Sequence, residues 1–487
     1  MNIIHTLRVG ITSLVLAFFV VNASAHYDSG YSHNADIDAN ASAASWMSIV
    51  PGVLRLSELS IPGTHDTMAR YGGDSAQCQS MSLSKQLNSG IRYIDIRVKN
   101  RTNQFQVYHG STYQHASFDD VLTDILNFLS TNNTETVLLK LKKEGASYNS
   151  TLSFTERFEA YVEEYEALGL EFYKGTDGNP RLEDMRNKVV ILDGFSGSGS
   201  DEVTEYGIKN NNTVNFDVES SWDLDDNWGL HDHWRKKRDH LDEANTGSRN
   251  KIYLTTLNGA NGSFPYFVAS GHSSNGTSAS RLATGRATSP WDNNNDVYPD
   301  FPRVDCWEGF CTIAFEGVNT LVKDYINNQG LSHAGIVVAD FPGKGLINAI
   351  INRNFRLNMS LKNKVLNKFV RVFDNNDIRA SGSNSYNGST YTAKLEMKIL
   401  HNGVITLKSN GNWIGVSPDG SVTSMWSASL PLLPNFLFSV VENDDGTISL
   451  KSATNNKYIV ANSATDKYLK ATQSYIDNGS KFSIKMR

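Results

Sequence analysis

Short apolar runs alternate with longer amphipathic segments between about residues 46 and 370. Eight runs have the length and the β-branched or aromatic content of strands; they cover 56–61, 91–98, 105–109, 136–142, 188–193, 213–218, 251–257 and 334–340. The segments between them repeat apolar side chains every three or four residues, which is typical of helices that pack one face on a sheet. The pattern predicts an α/β fold with a parallel sheet, and eight strands is the number that a (β/α)8 barrel needs.

Two of the predicted helices begin with a polar cap. Ser117 is followed three residues later by Asp120, and Ser153 by Glu156, which is the spacing of a capping box. An apolar stripe follows each cap, so we predict helices that bury one face.

The link between the second and third predicted strands does not fit a regular barrel. Only Lys99 to Gln104 separate the two strands, whereas a parallel crossover normally needs about a dozen residues. The spacing alone favours a hairpin.

The pattern changes after about Phe373. Residues 374–390 are polar and read as a linker, and residues 391–487 contain strand-like runs without a helical stripe. ITLKSNGNWIGV at 405–416 returns as ISLKSATNNKYIV at 448–460. A repeat of this kind predicts copies of one β-unit around a shared core, in an all-β, trefoil-like domain.

The first 25 residues have the features of a signal peptide. A basic residue, an apolar run over 9–21 and the small residues Ala23-Ser24-Ala25 follow one another. We predict a secreted protein, extracellular or periplasmic, in which residues 26–45 form a flexible leader and residues 46–373 form the barrel.

Charge and cysteine content narrow the picture further. The formal net charge is -6, which argues against a nucleic-acid partner because phosphate backbones need a basic face. Cys306 and Cys311 enclose four residues and predict a local disulfide in an exported chain, which leaves Cys78 as a buried thiol. No feature of the sequence indicates an oligomer, so we expect a monomer.

Proton-active and charged residues lie at the ends of the predicted strands. His65 follows the first strand and His109 ends the third, so that one imidazole can accept a proton while the other donates one. Alternation along the second strand places Asp95 and Arg97 on one face, where a guanidinium fork suits a phosphate. Four more charged residues lie at or near later strand ends: Lys140, Lys142, Asp217 and Asp340.

These motifs, in this order, closely resemble the bacterial phosphatidylinositol-specific phospholipase C family. The resemblance covers about residues 46–356 and is carried by LSIPGTHDTM (59–68), GIRYIDIRVK (90–99), YHGSTY (108–113), ETVLLKLKKE (135–144) and GIVVADF (335–341). It implies an irregular (β/α)8 TIM-type barrel in which the second and third strands are parallel despite their short link. It also implies cleavage of phosphatidylinositol, or of a glycosylphosphatidylinositol, to diacylglycerol and inositol 1,2-cyclic phosphate at a membrane surface.

The resemblance assigns roles by position. His65 is similar to the general base, with Asp340 as its orienting carboxylate, and His109 to the general acid, with Asp66 as its partner. Arg97 would hold the phosphate, and Lys142 and Asp217 would bind inositol hydroxyls. Asp95 is given no role by the resemblance; its position on the same strand face as Arg97 predicts an internal pair of the two residues. An arginine that does so in the family falls on Gly194, which leaves the exact head group open.

The residues next to His65 and on the second strand predict that the protein needs no metal and no other cofactor. Calcium-binding relatives carry an asparagine after the first histidine, where this chain has Asp66, and acidic ligands on the strand that carries Arg97 here. We therefore expect metal-independent catalysis.

Two alternatives remain from the sequence. One is a lectin-like surface-binding protein on an inactive barrel, and the other is a metal-dependent glycerophosphodiester phosphodiesterase. The C-terminal region resembles trefoil modules more weakly, and it either binds a glycan or protein ligand or only stabilises the chain.

Overall fold

The computed structural model describes residues 28–32, 41–193, 195, 206–209, 215–273, 280–289, 298–384, 387–388, 390–400, 403–426, 433–461 and 467–486. The predicted signal peptide and Gly194 lie outside these residues. No helix in the described part of the chain is both long and apolar enough to span a membrane.

Helices and strands alternate through the first two thirds of the chain. The helices are α1 (Ala41–Ala44), α2 (Leu83–Asn88), α3 (Phe118–Thr131), α4 (Phe154–Ala167), α5 (Leu182–Met185), α6 (Leu230–Thr246), α7 (Pro265–Ser270), α8 (Val318–Asn328) and α9 (Lys344–Ile351). The strands are β1 (Ile61–Thr64), β2 (Tyr93–Arg101), β3 (Gln104–His109), β4 (Thr112–Ser117), β5 (Val137–Lys143), β6 (Glu171–Phe172), β7 (Lys188–Asp193), β8 (Ile208–Lys209), β9 (Phe216–Glu219), β10 (Asp223–Leu224), β11 (Ile252–Thr256), β12 (Ala260–Asn261), β13 (Ala283–Ala287), β14 (Arg303–Trp307), β15 (Phe310–Ala314) and β16 (Ile336–Ala339).

A curled parallel sheet forms the centre of this region. Its strands follow the order β6-β7-β5-β2-β1-β16-β11-β9, with β8 paired to β7. Parallel pairing of β1 with β16 brings the carboxyl ends of these two strands together, with Thr64 opposite Ala339, and Thr64 also lies opposite Ile94 near the start of β2. The prediction of a parallel α/β sheet is confirmed, although the first strand begins later than expected, because Leu56–Glu58 forms a 3-10 turn before β1.

The link between β2 and β3 is a hairpin. The two strands are antiparallel, with Val98 opposite Val107 and Arg101 opposite Gln104. The two residues between them, Thr102 and Asn103, both adopt positive φ angles, of 51° and 58°. Two consecutive left-handed residues are the signature of a tight type I′ turn. The parallel arrangement implied by the family resemblance is therefore wrong here, and the spacing rule was right.

The predicted helix caps are present, and the helices that they begin pack on the β3–β4 hairpin. Ser117 accepts a hydrogen bond from the amide of Asp120 at the start of α3, and Ser153 does the same for Glu156 at α4. Buried aromatic rings join these helices to the hairpin, including Phe105 on β3, which stacks on Phe154 with ring centres 4.3 Å apart. This packing fixes the strand that ends in His109.

The rest of the chain is all β. Its strands are β17 (Arg356–Asn363), β18 (Lys368–Phe373), β19 (Ile378–Gly382), β20 (Tyr391–Thr392), β21 (Leu395–Ile399), β22 (Val404–Ser409), β23 (Asn412–Val416), β24 (Val422–Met425), β25 (Phe438–Glu442), β26 (Ile448–Ser452), β27 (Tyr458–Val460), β28 (Lys470–Gln473) and β29 (Phe482–Met486). Six of them close a barrel in the order β17-β21-β22-β25-β26-β29, and β29 pairs back to β17. The pairs β18–β19, β23–β24 and β27–β28 form three hairpins.

The all-β region begins earlier than the sequence indicated. β17 and β18 precede Phe373 yet belong to the C-terminal sheet, and β19 lies inside the segment 374–390 that was predicted as a linker. Side chains of β19 alternate between buried and half-buried positions. Its small and polar residues conceal this alternation in the sequence, so the strand pairing places the start of the region at Arg356.

The cysteines follow the prediction. Cys306 on β14 and Cys311 on β15 form a disulfide that closes the tip of their hairpin. Cys78 is a free, buried thiol.

Candidate active site

His65 and Asp340 meet because their strands are neighbours. Thr64 at the end of β1 lies opposite Ala339 at the end of β16, and the next residue on each strand is the functional one. The Nδ1 of His65 lies 2.8 Å from Oδ1 of Asp340. A carboxylate can only accept, so Nδ1 carries the hydrogen and Nε2 keeps its lone pair in the neutral ring.

Arg97 lies at the centre of the charged groups. Its Nη1 is 2.8 Å from Oδ2 of Asp66, and its Nη2 is 3.0 Å from Oδ2 of Asp95. The same Nη2 lies 2.8 Å from Nε2 of His65. Lys140, from the neighbouring strand β5, approaches the other oxygen of Asp95 at 3.4 Å. The guanidinium therefore links the carboxylates to the base nitrogen.

His109 reaches the cluster from the hairpin. Its Nδ1 donates to the carbonyl oxygen of Ala76 at 2.7 Å, which turns Nε2 toward the cleft. That Nε2 is 3.5 Å from Oδ2 of Asp66, beyond normal hydrogen-bond length. The same carboxylate oxygen is 3.4 Å from Nε2 of His65. Asp66 thus stands between the two histidines and is held most closely by Arg97.

Burial and neighbouring charges shift the proton affinities of these groups. Burial alone would lower the pKa of His65, but the Asp340 and Asp66 carboxylates outweigh it and raise that pKa above 6.5. Burial raises the pKa of Asp66, against the opposing effects of His65 and Arg97. Burial would also raise the pKa of Asp95, but Arg97 and Lys140 hold it far below its usual range. Asp95 is therefore a fixed anion beside the guanidinium.

The loops that carry His65 and Asp340 contain strained backbone. Asp66 and Phe341, the residues that follow the two, have φ angles of 41° and 45°, and a left-handed non-glycine residue costs about 1–3 kcal/mol. The buried amide of Gln79 donates to the carbonyls of His65 and Ala339, at 2.8 and 3.1 Å. Gln79 was missed from the sequence because a polar residue in a loop carries no periodic signal.

A cleft of about 460 Å³ opens above this cluster. The predicted residues that line it are His65, Arg97, His109, Lys142 and Asp340, and Lys140 and Cys78 join them. Its opposite wall comes from the loops after β9 and β11 and includes Trp222 and Asn258. Lys142 also contacts Glu144 at 3.2 Å, and Glu144 accepts a hydrogen bond from the amide of Gly110, next to His109.

Asp217 does not line the cleft. It lies on β9 with its carboxylate 3.7 Å from His240 on α6 and 3.5 Å from Lys251. Glu219, two residues along the strand and on the same face, pairs with Lys237 of α6 at 2.8 Å. The alternation of β9 therefore turns both carboxylates toward the helix, whereas the sequence placed Asp217 against the substrate.

Two groups of described residues bring three potential metal-binding atoms within 4.8 Å of one another. They are His65 with Asp66 and Cys78, and Asp217 with His240 and Glu243. In the first group, Arg97 already contacts both the His65 nitrogen and the Asp66 oxygen at 2.8 Å. Burial also raises the pKa of the Cys78 thiol well above its usual value, which disfavours the thiolate that a metal needs. The guanidinium thus occupies the place where a cation would sit.

Comparison with known proteins matches the segment of the chain that carries His65, Arg97 and His109. Residues 55–194 match the family described as "Phosphatidylinositol-specific phospholipase C, X domain". A 1-phosphatidylinositol phosphodiesterase of Listeria monocytogenes is 36% identical over 201 residues, which cover 39% of this chain and 61% of that enzyme. The enzyme of the same name from Staphylococcus aureus strain NCTC 8325 is 29% identical over 198 residues, covering 39% of this chain and 58% of the relative.

The matched segments thus span about three fifths of these relatives. A solved structure of the Listeria monocytogenes phosphatidylinositol-specific phospholipase C superposes with a TM-score of 0.46 and 25% identity, over 64% of this chain and 98% of that one. Through residues 55–194, this chain is therefore similar to the phosphatidylinositol-specific phospholipase C X-domain family.

Proposed function

We propose that the protein is a phosphatidylinositol-specific phospholipase C. It would cleave phosphatidylinositol, or a glycosylphosphatidylinositol, to diacylglycerol and inositol 1,2-cyclic phosphate without a metal. The observation that carries the proposal is the convergence of His65, Arg97 and His109, each with an acidic neighbour, in one cleft of a chain with this family match.

His65 is the general base of the proposed reaction. Its Nε2 would take the proton of the inositol 2-hydroxyl as that oxygen attacks the phosphorus. Asp340 accepts the Nδ1 hydrogen at 2.8 Å, so it fixes the tautomer and stabilises the imidazolium that forms. No protein nucleophile is needed, because the attacking hydroxyl belongs to the substrate.

His109 is the general acid. As the bond from phosphorus to the diacylglycerol oxygen breaks, Nε2 of His109 would donate its proton to that oxygen. The hydrogen bond from Nδ1 to Ala76 fixes the ring, so that Nε2 is the atom that exchanges the proton.

Arg97 would bind the phosphate and stabilise the charge that builds on its oxygens. In the free protein its two terminal nitrogens contact Asp66, Asp95 and His65. A phosphate that binds the guanidinium would compete with its contacts to Nε2 of His65 and to the Asp66 carboxylate. We propose that substrate binding in this way weakens the contact of Asp66 with Arg97, so that the Asp66 carboxylate can accept a hydrogen bond from Nε2 of His109.

The head group would contact cleft residues beyond the catalytic set. Lys142 lines the cleft and is proposed to bind inositol hydroxyls, whereas Asp217 is not, because its carboxylate lies against α6. Asp95 would act through Arg97, which it orients.

The finer features of the fold are part of the same proposal. We propose that the curled sheet is an irregular (β/α)8 barrel, since β8 and β9 extend its two sides. We also propose that residues 356–487 are a β-trefoil domain without a catalytic role, on the grounds of a closed six-stranded barrel and three hairpins. The protein would be exported and act as a monomer on a lipid surface.

Replacement of either histidine tests the assignment. His65→Gln and His109→Gln should each lower turnover of phosphatidylinositol vesicles by about 10²- to 10⁴-fold, which is the usual contribution of a general acid or base. His115→Asn, at an exposed histidine outside the cleft, is the matched control and should retain activity. EDTA should leave the wild-type rate unchanged; strong inhibition by EDTA would favour a metal-dependent glycerophosphodiesterase instead.

A further inference from the structure

Residues 28–32 lie against the segment that follows Asp340. The amide of Ser32 donates to the carbonyl of Phe341 at 2.9 Å, and the amide of Gly343 donates to the carbonyl of Gly30 at 2.8 Å. The amide of Gly345 donates to the carbonyl oxygen of Ser29 at 2.6 Å. Residues 28–32 therefore bind the first residues beyond the proposed orienting carboxylate, with one isolated antiparallel bridge between Tyr31 and Pro342, and we refer to them as the N-terminal strap.

Side chains anchor the strap at both ends. Both carboxylate oxygens of Asp28 lie 2.8 Å from the Lys323 ammonium on α8. Tyr31 is only 5% exposed and packs edge-on against Tyr266, with ring centres 6.2 Å apart. Tyr266 in turn packs edge-on against Phe341 at 5.2 Å. The strap thus contacts the Asp340 loop through its backbone and through a small aromatic cluster.

The Asp340 loop is strained and is held from two sides. Phe341 has a φ angle of 45°, a conformation that persists only where its surroundings enforce it. On one side, the side-chain amide of Asn319 donates to the carbonyl oxygen of Asp340 at 2.8 Å, and the backbone amide of Phe341 donates to the carbonyl oxygen of Cys78 at 2.9 Å. On the other side, the strap binds the carbonyl of Phe341. The Asp340 loop is consequently held between Asn319 and Cys78 on one side and the strap on the other.

Two glycines indicate that the sequence makes room for the strap. A Cβ added at Gly343 would collide with Ser29 and Tyr31, and one at Gly345 would collide with Ser29. Gly343 has an ordinary φ angle of -91°, so its backbone conformation does not require glycine. The close approach of the strap does.

We propose that the N-terminal strap is a positioning element that holds Asp340 in its hydrogen bond to His65. This inference rests on the proposed function, in which that bond makes His65 the base. Without the strap, the carboxylate would move relative to the imidazole, and displacements of about 1 Å at such a site can cost about 10²-fold in rate.

Gly343→Ala is the sharpest single change, because the new methyl group would expel the strap while the amino-acid sequence of the strap stays unchanged. We expect kcat to fall about 10- to 100-fold, with KM changed less than about twofold, since the lipid contacts are elsewhere. The low-pH limb of kcat/KM should also move to lower pH, because His65 loses part of the carboxylate effect that raises its pKa. Gly229→Ala, where a Cβ would meet only an ordinary contact at 3.6 Å, is the control.

A second variant separates positioning from folding. Asp28→Asn combined with Tyr31→Ala weakens the strap without altering the Asp340 loop, and it should reproduce both effects while thermal unfolding stays cooperative. Adding Gly343→Ala to it should change little more, because the two changes remove the same contact. Wild-type kcat and an unmoved low-pH limb in both variants would overturn the proposal.

The His65 ring can be followed directly, so that the proposal does not depend on turnover. In an NMR titration, the imidazole pKa of His65 should be lower in the strap variants than in the wild type. An unchanged pKa would overturn the strap proposal, whereas a wild-type protein that does not cleave phosphatidylinositol would instead refute the proposed function.

Discussion

At the scale of single residues, the site is a cluster of buried charges built around Arg97. Asp66 and Asp95 are almost fully buried, and each lies within 3.0 Å of the guanidinium. A buried charge without a partner is strongly destabilising, so the guanidinium is both a structural counter-ion and the group proposed to meet the phosphate. In the free protein, the group proposed to bind the phosphate is therefore paired with two carboxylates of the protein itself.

Asp340→Asn tests the electrostatic role of the carboxylate that His65 contacts. Only neutral His65 can accept a proton, so kcat/KM should rise as pH increases through the pKa of His65, which lies above 6.5 in the wild type. Without the Asp340 charge, that pKa should fall, and the midpoint of the low-pH limb should move to lower pH. The plateau should also drop by about 10²- to 10⁴-fold. A pH–rate profile measured on a soluble substrate checks this. An unmoved midpoint would show that the Asp340 charge does not raise the pKa of His65.

Most of the residues that the sequence predicted for the site come together in one cleft. His65, Arg97, His109 and Asp340 all line the cleft. His65 and Asp340 follow the carboxyl ends of the parallel strands β1 and β16, whereas Arg97 lies within β2 and His109 ends the antiparallel strand β3. Asp217 was misplaced, because alternation along a strand reveals two faces but not which one turns toward a helix. Gln79 and Asn319 donate hydrogen bonds to the carbonyls of the strained loops. No spacing rule in the sequence predicts these two contacts, because they depend on how the loops fold.

At the scale of elements, β1 is the strand on which the site depends. It has four residues, lies between β2 and β16, and leads directly into His65. At Gly63 an added Cβ would approach Cβ and Cδ1 of Tyr93 at 2.8 and 2.9 Å. The absence of a side chain therefore allows the Tyr93 ring of β2 to pack across β1.

Gly63→Ala should overpack this contact. We expect the free energy of unfolding to fall by about 1–3 kcal/mol, and activity per folded molecule to fall as well, because a shift of β1 moves His65. Urea denaturation followed by fluorescence measures the first effect, with Gly229→Ala as the control. Equal stability of the two alanine variants would mean that the sheet absorbs the methyl group without cost.

The β2–β3 connection shows where spacing outweighs family likeness. Two linking residues, Thr102 and Asn103, cannot carry a strand back to start a parallel partner, and asparagine tolerates the left-handed turn that a hairpin needs. By contrast, no rule from the sequence could locate β19, because its residues, IRASG, have neither the β-branched content nor the clear alternation of a typical strand.

At the scale of the whole molecule, the cleft and the all-β barrel are separate. The residues that line the cleft all come from positions 65–340. The two regions touch elsewhere, where the Glu442 carboxylate accepts a hydrogen bond from the amide of Gly52 and a groove between them is lined by Ile49 and Ile399. The all-β barrel thus packs on the α/β region away from the cleft.

Two truncated chains test the boundary at Arg356. A chain that ends at Phe355 removes the whole β-barrel and should remain soluble and cleave phosphatidylinositol. A chain that ends at Phe373 keeps β17 and β18 but removes β21 and β29, with which β17 pairs. Its unpaired edges should cause aggregation, measured by size-exclusion chromatography. If the longer chain is as soluble as the shorter one, the boundary drawn from strand pairing is wrong.

The most direct test of the proposed chemistry is to follow phosphorus during turnover. The full-length protein is incubated with phosphatidylinositol vesicles in EDTA, and the ³¹P resonances are recorded over time. The proposed acid–base mechanism requires the signal of inositol 1,2-cyclic phosphate to appear first, at a rate that EDTA does not change. Release of a phosphomonoester without the cyclic signal, or loss of turnover in EDTA, would contradict it.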